Sequence, residues 1–345
     1  MCGFRIESET LQSPPVRVFT AMLLQLTCFA SVVCAYSCFH FTVPMTVTAP
    51  SYIPAFPEFA NHFDAVQLLV DISSRTPEVT LFSGSDDVNV TFTIDASYCT
   101  EAIIHPASQD VQILTHGLGT DKSYWDFGGA DSKYNYVRAA TKAGYATLAW
   151  SRPGTGRSSS GDPYSILQID MQAAVLMEIT SLLRAGELHP EVPRSSGRIL
   201  HIGYSFGSVL TNVLIAKRPD LSDGVVLTGL SHNLSFSARY AIATNFHLAR
   251  ENRPRLWANY STGFLTWADE LTLQYNTFKH PYFDLEVLSR AEEDKVPFAV
   301  GELLTLGLPS LVAPDFKGIV LVSLSQPHPT RTAMLLFQAT QSISG

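Results

Sequence analysis

The chain has 345 residues, of which 46% are hydrophobic and 16% are charged, so it is too apolar to be disordered and long enough for one large domain with a smaller insertion. Its formal net charge is −8, and its lysines and arginines are scattered through the sequence. This pattern excludes a basic stripe for nucleic acid and a polybasic segment for an anionic membrane, so we expect neither partner.

The N-terminal segment has the composition of a secretory signal. An uncharged apolar run follows Arg17 and leads to small residues that end at Ala35. We therefore interpret residues 1–35 as a signal peptide and expect a secreted protein. The alternative is an uncleaved anchor, because the uncharged run continues to Phe39 and approaches the length of a membrane span. Only in that case would the chain be bound to a membrane.

Two further features agree with a secretory route. Glycosylation sequons begin at Asn89, Asn233 and Asn259. Of the five cysteines, only Cys38 and Cys99 follow the predicted signal; they could form one disulfide or remain unpaired, and their spacing does not decide between these alternatives. No group of cysteines and histidines has the spacing of a metal site, so we expect no metal and no cofactor.

Residues 36–100 predict a β-rich N-terminal extension that leads into the main sheet. Residues 66–70 and 88–94 are rich in apolar and β-branched side chains and predict two strands. A Ser-Gly-Ser-Asp-Asp segment, residues 83–87, predicts the turn that joins them. We expect the chain to begin with antiparallel pairing.

Residues 101–234 predict an α/β core, because short apolar segments alternate there with segments of helical periodicity. The predicted strands and helices alternate over residues 111–115, 134–143, 146–150, 166–184, 199–202, 209–217 and 225–228. Such alternation predicts a mostly parallel central sheet with helices on both faces.

Residues 235–300 lose this alternation and become rich in aromatic residues, asparagine and arginine, which predicts a helical cap inserted into the core. The cap aromatics either bury the cap on the core or line an apolar site. Residues 301–322 predict the end of the core, with a buried strand over 319–322. The remaining residues, 323–345, form an atypical tail.

The segment around Ser205 predicts a nucleophile elbow. Gly203-x-Ser205-x-Gly207 follows an apolar strand and precedes a helical segment, which is the context that this motif requires. A serine held in a strained turn brings its neighbours so close that a Cβ at either glycine would clash. The turn raises the hydroxyl above the sheet and directs the following amides at a developing oxyanion. A serine at this place favours acyl transfer to water.

A second glycine-rich turn follows the strand predicted at 111–115. We expect Gly117 to allow this loop to approach the nucleophile, and we expect the amides of Leu118 and Phe206 to form the oxyanion hole. His116 could be mistaken for the general base. We interpret it as structural, because a histidine at a strand end before glycine locks the loop by hydrogen bonds, whereas the base normally comes late in the chain.

Three motifs then occur in order: His116-Gly117, Arg152-x-Gly154-x-Gly156-x-Ser158 and the serine elbow. Together they resemble the α/β-hydrolase superfamily, in its secreted branch with a long N-terminal extension. The resemblance covers about residues 60–322. It implies the α/β-hydrolase fold and hydrolysis of a small carboxylic ester or amide. The family pattern usually has aspartate before the arginine, whereas this chain has Ser151, which questions an ion pair there but not the fold.

The resemblance also implies an acid after the strand at 319–322 and a histidine base after one further strand. Neither is visible in the tail, so we expect the last strand and helix to be missing, as in a truncated or altered C-terminus. His328 is the only histidine of the tail, and its two flanking prolines indicate a loop and argue against a base.

Loss of the base has a large consequence, because removing a catalytic triad costs on the order of a million-fold in turnover. The activity of the chain as written is therefore doubtful. The alternative function is a catalytically inactive homologue that binds a small ligand or a partner through the same pocket, since a fold does not fix a function.

Overall fold

The computed structural model describes residues 36–74, 78–101, 109–230, 240 and 243–323. The predicted signal peptide, the sequon at Asn233 and the candidate base His328 lie outside these residues. Within the described part of the chain, no helix is both long enough and apolar enough to cross a membrane.

The described strands are β1 (Tyr36–Pro54), β2 (Phe82–Glu101), β3 (Val111–Thr115), β4 (Ala146–Trp150), β5 (Ile199–Tyr204), β6 (Gly224–Thr228), β7 (His247–Leu248), β8 (Phe264–Thr266), β9 (Phe298–Ala299) and β10 (Ile319–Ser323). The described α-helices are α1 (His62–Ile72), α2 (Tyr136–Lys142), α3 (Ile169–Ala185), α4 (Phe206–Lys217), α5 (Ala249–Asn252), α6 (Pro254–Trp257), α7 (Glu270–Thr277), α8 (Leu285–Glu293) and α9 (Val300–Leu304). Short 3₁₀ helices lie at Lys122–Asp126 and Pro219–Leu221.

The central sheet has seven strands in the order β1-β2-β4-β3-β5-β6-β10. Strand β2 runs antiparallel to both of its neighbours, β1 and β4, whereas β4, β3, β5, β6 and β10 run parallel to one another. Helices α3 and α4 pack on one face, where Ile113 belongs to the main apolar cluster. Helix α2 packs on the other face, with Leu114. The predicted mostly parallel sheet with helices on both faces is confirmed.

The N-terminal extension is a long antiparallel pair, β1 and β2, and the turn predicted at 83–87 is wrong because these residues continue strand β2. Alternate residues of β1 are buried against the core, as strand periodicity requires. Pro44 and Pro50 are tolerated because β1 is the edge strand of this sheet. The register places Cys38 opposite Cys99, and a disulfide joins them.

The strand predicted over 66–70 is also wrong, because these residues belong to helix α1. Asn61 accepts a hydrogen bond from the N3 amide, and the Asp64 carboxylate accepts one from the Asn61 amide, so a capping box starts the helix. Ala65 and Leu68 then face a buried cluster. Capping and helical spacing outweigh the strand preference of the two valines.

The cap segment is not wholly helical. It includes α5–α8, and β7, β8 and β9 form a small antiparallel sheet that the sequence pattern did not reveal. Several cap aromatics are buried in apolar clusters: Phe246, Trp257, Phe264 and Trp267. Tyr275, in contrast, is 72% exposed. Most of the described cap aromatics therefore have a packing role.

The strand predicted over 319–322 forms as β10, and it pairs in parallel with β6. Its predicted burial is wrong, because Ile319 is 78% exposed. Among the described residues, β10 has a neighbour on one side alone, so its apolar side chains are not enclosed.

Candidate active site

The serine elbow lies between the end of β5 and the start of α4. Ser205 has φ 52° and ψ −114°, a strained conformation for a residue with a side chain. The Ser205 amide donates to the carbonyl of Thr228 at the end of β6, 2.8 Å away. The Thr228 hydroxyl in turn donates to the carbonyl of Gly203. Strand β6 therefore holds the strained turn in place, and such a turn costs about 1–3 kcal/mol.

Both elbow glycines are required by backbone packing. A Cβ at Gly203 would lie 2.5 Å from the Cα of Ser208. A Cβ at Gly207 would lie 2.1 Å from the carbonyl oxygen of Thr115 and 2.7 Å from that of His116. Because these neighbours are backbone atoms, no side-chain rotation can relieve either clash.

The predicted oxyanion loop lies against the predicted nucleophile. A Cβ at Gly117 would lie 3.2 Å from the Cβ of Ser205. In the part of the chain that the structure describes, neither the Leu118 nor the Phe206 amide forms a hydrogen bond. Phe206 is the first residue of α4, where an amide has no partner inside the helix. Both predicted donors are thus available beside Ser205.

His116 is fully buried and bonded within the loop. Its Nε2 accepts from the Arg152 amide at 3.0 Å, so the ring proton lies on Nδ1, which donates to the Gly117 carbonyl at 2.9 Å. Burial, assisted by the neighbouring Arg152 charge, holds the pKa of His116 well below its ordinary value. Both ring nitrogens are engaged in the loop, which is the structural role expected for this residue.

The turn after β4 carries a buried ion pair that the sequence did not reveal. Arg152 pairs with Glu302 of α9 and donates to the Gln172 side chain of α3 at 2.5 Å. Gln172 also donates to Glu302. Arg152 therefore does form an ion pair although Ser151 replaces the usual aspartate, and its acidic partner comes from helix α9, far away in the sequence.

A second carboxylate, Asp95 of β2, lies beside Ser151. The Ser151 hydroxyl donates to Asp95, which also binds Lys122 at 2.5 Å and Arg157 at 2.9 Å. Burial raises the pKa of Asp95, but the hydrogen bonds from Arg157 and Lys122 lower it more, so the pKa lies below its ordinary value. Asp95 thus supplies a carboxylate beside Ser151, the position where the family motif usually has its own aspartate.

The residue before the nucleophile, Tyr204, was not singled out from the sequence. Its ring stacks on Tyr124 at 4.4 Å and lies between Gly117 and Gly229. Burial raises the pKa of Tyr204 to about 12, so its hydroxyl stays protonated at neutral pH. The stacked pair of tyrosine rings therefore contacts the elbow through Tyr204, the residue that precedes Ser205.

The cap reaches the oxyanion loop directly. The Val296 amide donates to the carbonyl of Gly119 at 3.0 Å. The Trp267 ring packs on the same glycine, where a Cβ would lie 2.1 Å from its Cη2. Gly119, with φ 68°, supplies both the backbone conformation and the space. The cap therefore contacts the loop that carries the predicted oxyanion donor.

The general base is not among these contacts. Over the described ranges, which end at Ser323, no histidine forms a hydrogen bond with the Ser205 hydroxyl. His201, in strand β5, is buried, and its ring nitrogens form hydrogen bonds with Thr180 and Ser222 instead. His328 lies outside the described residues.

A family model described as "Alpha/beta hydrolase family" matches residues 112–334. The chain therefore belongs to the alpha/beta hydrolase family. Membership of this family supports the interpretation that the chain is a hydrolase. No curated protein matches the chain.

The chain is also similar to several solved structures. An E-2-(acetamidomethylene)succinate hydrolase is 16% identical, with 67% of this chain and 76% of that chain covered and a TM-score of 0.41. A hydrolase from Pseudomonas aeruginosa PA01 is 15% identical, with 67% and 75% covered and a TM-score of 0.42. The enol-lactonase from Burkholderia xenovorans LB400 is 16% identical, with 67% and 77% covered and a TM-score of 0.37.

Proposed function

We propose that this protein is a secreted serine hydrolase that cleaves a small carboxylic ester or amide through an acyl-enzyme at Ser205. The observation that carries the proposal is the backbone of Ser205, whose positive φ is maintained between β5 and α4 although it is unfavourable for serine. A strained residue at a helix start beside a glycine-rich loop is a typical arrangement of a nucleophile.

In this mechanism the Ser205 oxygen attacks the substrate carbonyl, and the new C–O bond leaves a negative charge on the former carbonyl oxygen. The amides of Leu118 and Phe206 donate to that oxygen. Breaking the bond to the alcohol or amine leaves the acyl group on Ser205, and water then releases the acid. A base must take the serine proton and return it to the leaving group, and the family resemblance implies that this base is a histidine that follows strand β10.

Two features of the described residues support the secreted assignment. The Cys38–Cys99 disulfide is typical of proteins that fold in an oxidising compartment. The sequon residues Asn89 and Asn259 are both exposed, so an oligosaccharide could be attached to each without disturbing the core.

The proposal is tested by labelling the secreted chain with a fluorophosphonate and locating the adduct by peptide mass spectrometry. We expect label on Ser205, none on the Ser205→Ala variant, and normal labelling of Ser123→Ala, because Ser123 is exposed and outside the elbow. Absence of label on the folded wild-type chain would contradict the proposal.

The same experiment distinguishes the proposed hydrolase from the alternative, a catalytically inactive homologue. Such a homologue predicts no labelling of the wild-type chain and no esterase turnover. It also predicts that a small ligand bound by the wild-type chain is bound equally well by Ser205→Ala.

A further inference from the structure

The peptide unit that carries one predicted oxyanion donor is held by its carbonyl. The Gly117 carbonyl accepts hydrogen bonds from the Arg152 guanidinium at 2.9 Å, from His116 Nδ1 at 2.9 Å and from the Thr120 hydroxyl at 3.2 Å. The Leu118 amide belongs to the same peptide plane. In a trans peptide the C=O and N–H point in opposite directions, so fixing the carbonyl also fixes the direction of the N–H.

Arg152 contacts the second predicted donor as well. Its guanidinium carbon lies 4.7 Å from the centre of the Phe206 ring, which is a cation–π distance. A single buried side chain therefore contacts the peptide unit that carries the Leu118 amide and the aromatic ring of Phe206.

The Arg152 guanidinium cannot turn away from this position. Glu302 and Gln172 hold one of its terminal nitrogens, and the other terminal nitrogen reaches Gly117. Glu302 is itself fixed, because its second oxygen accepts from the Ala299 amide at 2.9 Å. The planar fork of arginine can join three elements in this way, whereas the single ammonium of lysine cannot.

The charge of Arg152 adds an electrostatic effect. A cation bonded to a carbonyl polarises the peptide unit and makes its N–H a stronger donor. Arg152 is fully buried, so little solvent screens this effect. Although burial lowers its pKa, Glu302 opposes that change, and arginine remains protonated at neutral pH.

We propose that Arg152 is a positioning residue that orients the Leu118 amide for oxyanion binding and packs on the ring of Phe206, with Glu302 holding its guanidinium in place. The inference rests on the proposed function of Ser205. In this inference the buried Arg152–Glu302 ion pair contributes to the reaction as well as to the stability of the fold.

The test compares Arg152→Met, Arg152→Lys and a double variant, Arg152→Met with Glu302→Gln, which removes the unpaired buried charge. Arg157→Met is the matched control, because Arg157 lies in the same turn but is exposed and binds Asp95. The first readout is the second-order rate of fluorophosphonate labelling at Ser205. The second is amide hydrogen exchange of the loop around Leu118, which does not depend on activity.

For the folded double variant we expect labelling about a hundredfold slower than wild type, since displacement of an oxyanion donor has an effect of this size. We expect loop exchange about tenfold faster or more, from the loss of a charge-assisted hydrogen bond. Arg152→Lys should recover part of the labelling rate, and Arg157→Met should match wild type in both readouts. With a turnover substrate, kcat should fall while KM changes little.

A folded double variant with wild-type labelling and wild-type loop exchange would overturn the inference, because Arg152 would then only balance the charge of Glu302. If the wild-type chain takes no label, the proposed function fails, and loop exchange alone decides whether Arg152 positions the donor. Unchanged exchange overturns the inference in that case, and faster exchange supports it.

Discussion

Substituting Gly207 by alanine tests whether the elbow is as tightly packed as the structure indicates. Gly207 lies in the first turn of α4, where alanine would normally stabilise the protein by about 1 kcal/mol. Here the new Cβ would lie 2.1 Å from the carbonyl oxygen of Thr115. An ordinary contact requires that strand β3 and helix α4 separate by about 1 Å or more. Such overpacking costs about 3 kcal/mol.

The expected net effect of Gly207→Ala is a destabilisation of about 2 kcal/mol, opposite in sign to helix propensity. Urea unfolding measures it. Labelling of Ser205 should also slow by about a hundredfold, because the shifted strand leads into the loop that carries Leu118. Gly84→Ala is the control, because no heavy atom beyond its two chain neighbours lies within 4 Å of the position of its new Cβ; its stability should change by less than about 0.5 kcal/mol. A Gly207→Ala variant that is as stable as wild type would refute the packing argument.

Three other predictions concern stability and processing. Replacing Cys38 and Cys99 together by alanine should lower the free energy of unfolding by about 4 kcal/mol, from the chain entropy of a sequence separation of 61, and reductant should bring wild type to the same value in urea unfolding. An N-glycosidase should reduce the mass of the secreted chain, and Asn89→Gln and Asn259→Gln should each remove one glycan; an unchanged mass in either variant would show that this sequon is not used. Burial lowers the pKa of His201 to about 3. Between that value and the ordinary histidine pKa, His201 is protonated in the unfolded chain but not in the folded chain. The free energy of unfolding should therefore decrease as the pH is lowered from about 6.5 to 3, by up to about 1.4 kcal/mol per pH unit. Urea unfolding at a series of pH values measures this slope, and His201→Asn should lack the part of it that His201 contributes.

The parallel core and the geometry around Ser205 could be predicted because their signals are local. The glycines, the serine and the flanking strand and helix of the elbow all lie within a few residues. The helix predicted over 166–184 ends near its predicted position, at a glycine with φ 79°. The loop at His116 could be predicted for the same reason, since strand, histidine and glycine are adjacent.

The features that sequence reasoning missed depend on tertiary context. Strands β7 and β9 have two residues each, which is too short for any periodicity. The exposure of Ile319 depends on what lies beside β10 and not on its own apolar composition. Glu302 is 150 residues from Arg152, and no local pattern joins them. Ser151, in place of the usual aspartate, put an ion pair at this turn in question but did not point to Glu302.

Helix α1 shows a different limit. The segment around Val66 and Val70 has the composition of a strand, and the capping box at Asn61 precedes it by several residues. The helical spacing of Ala65 and Leu68 was available in the sequence. Weighing the cap signal together with that spacing would have given the helix.

The central claim is that Ser205 forms an acyl-enzyme, and trapping that species is its most direct test. The full-length chain is mixed with p-nitrophenyl acetate, the release of p-nitrophenolate is followed from the first milliseconds, and acid-quenched samples are digested for mass spectrometry. We predict a burst of about one p-nitrophenolate per chain and an acetyl group on the peptide that contains Ser205. Linear release without a burst, together with an unmodified Ser205 peptide, would contradict it.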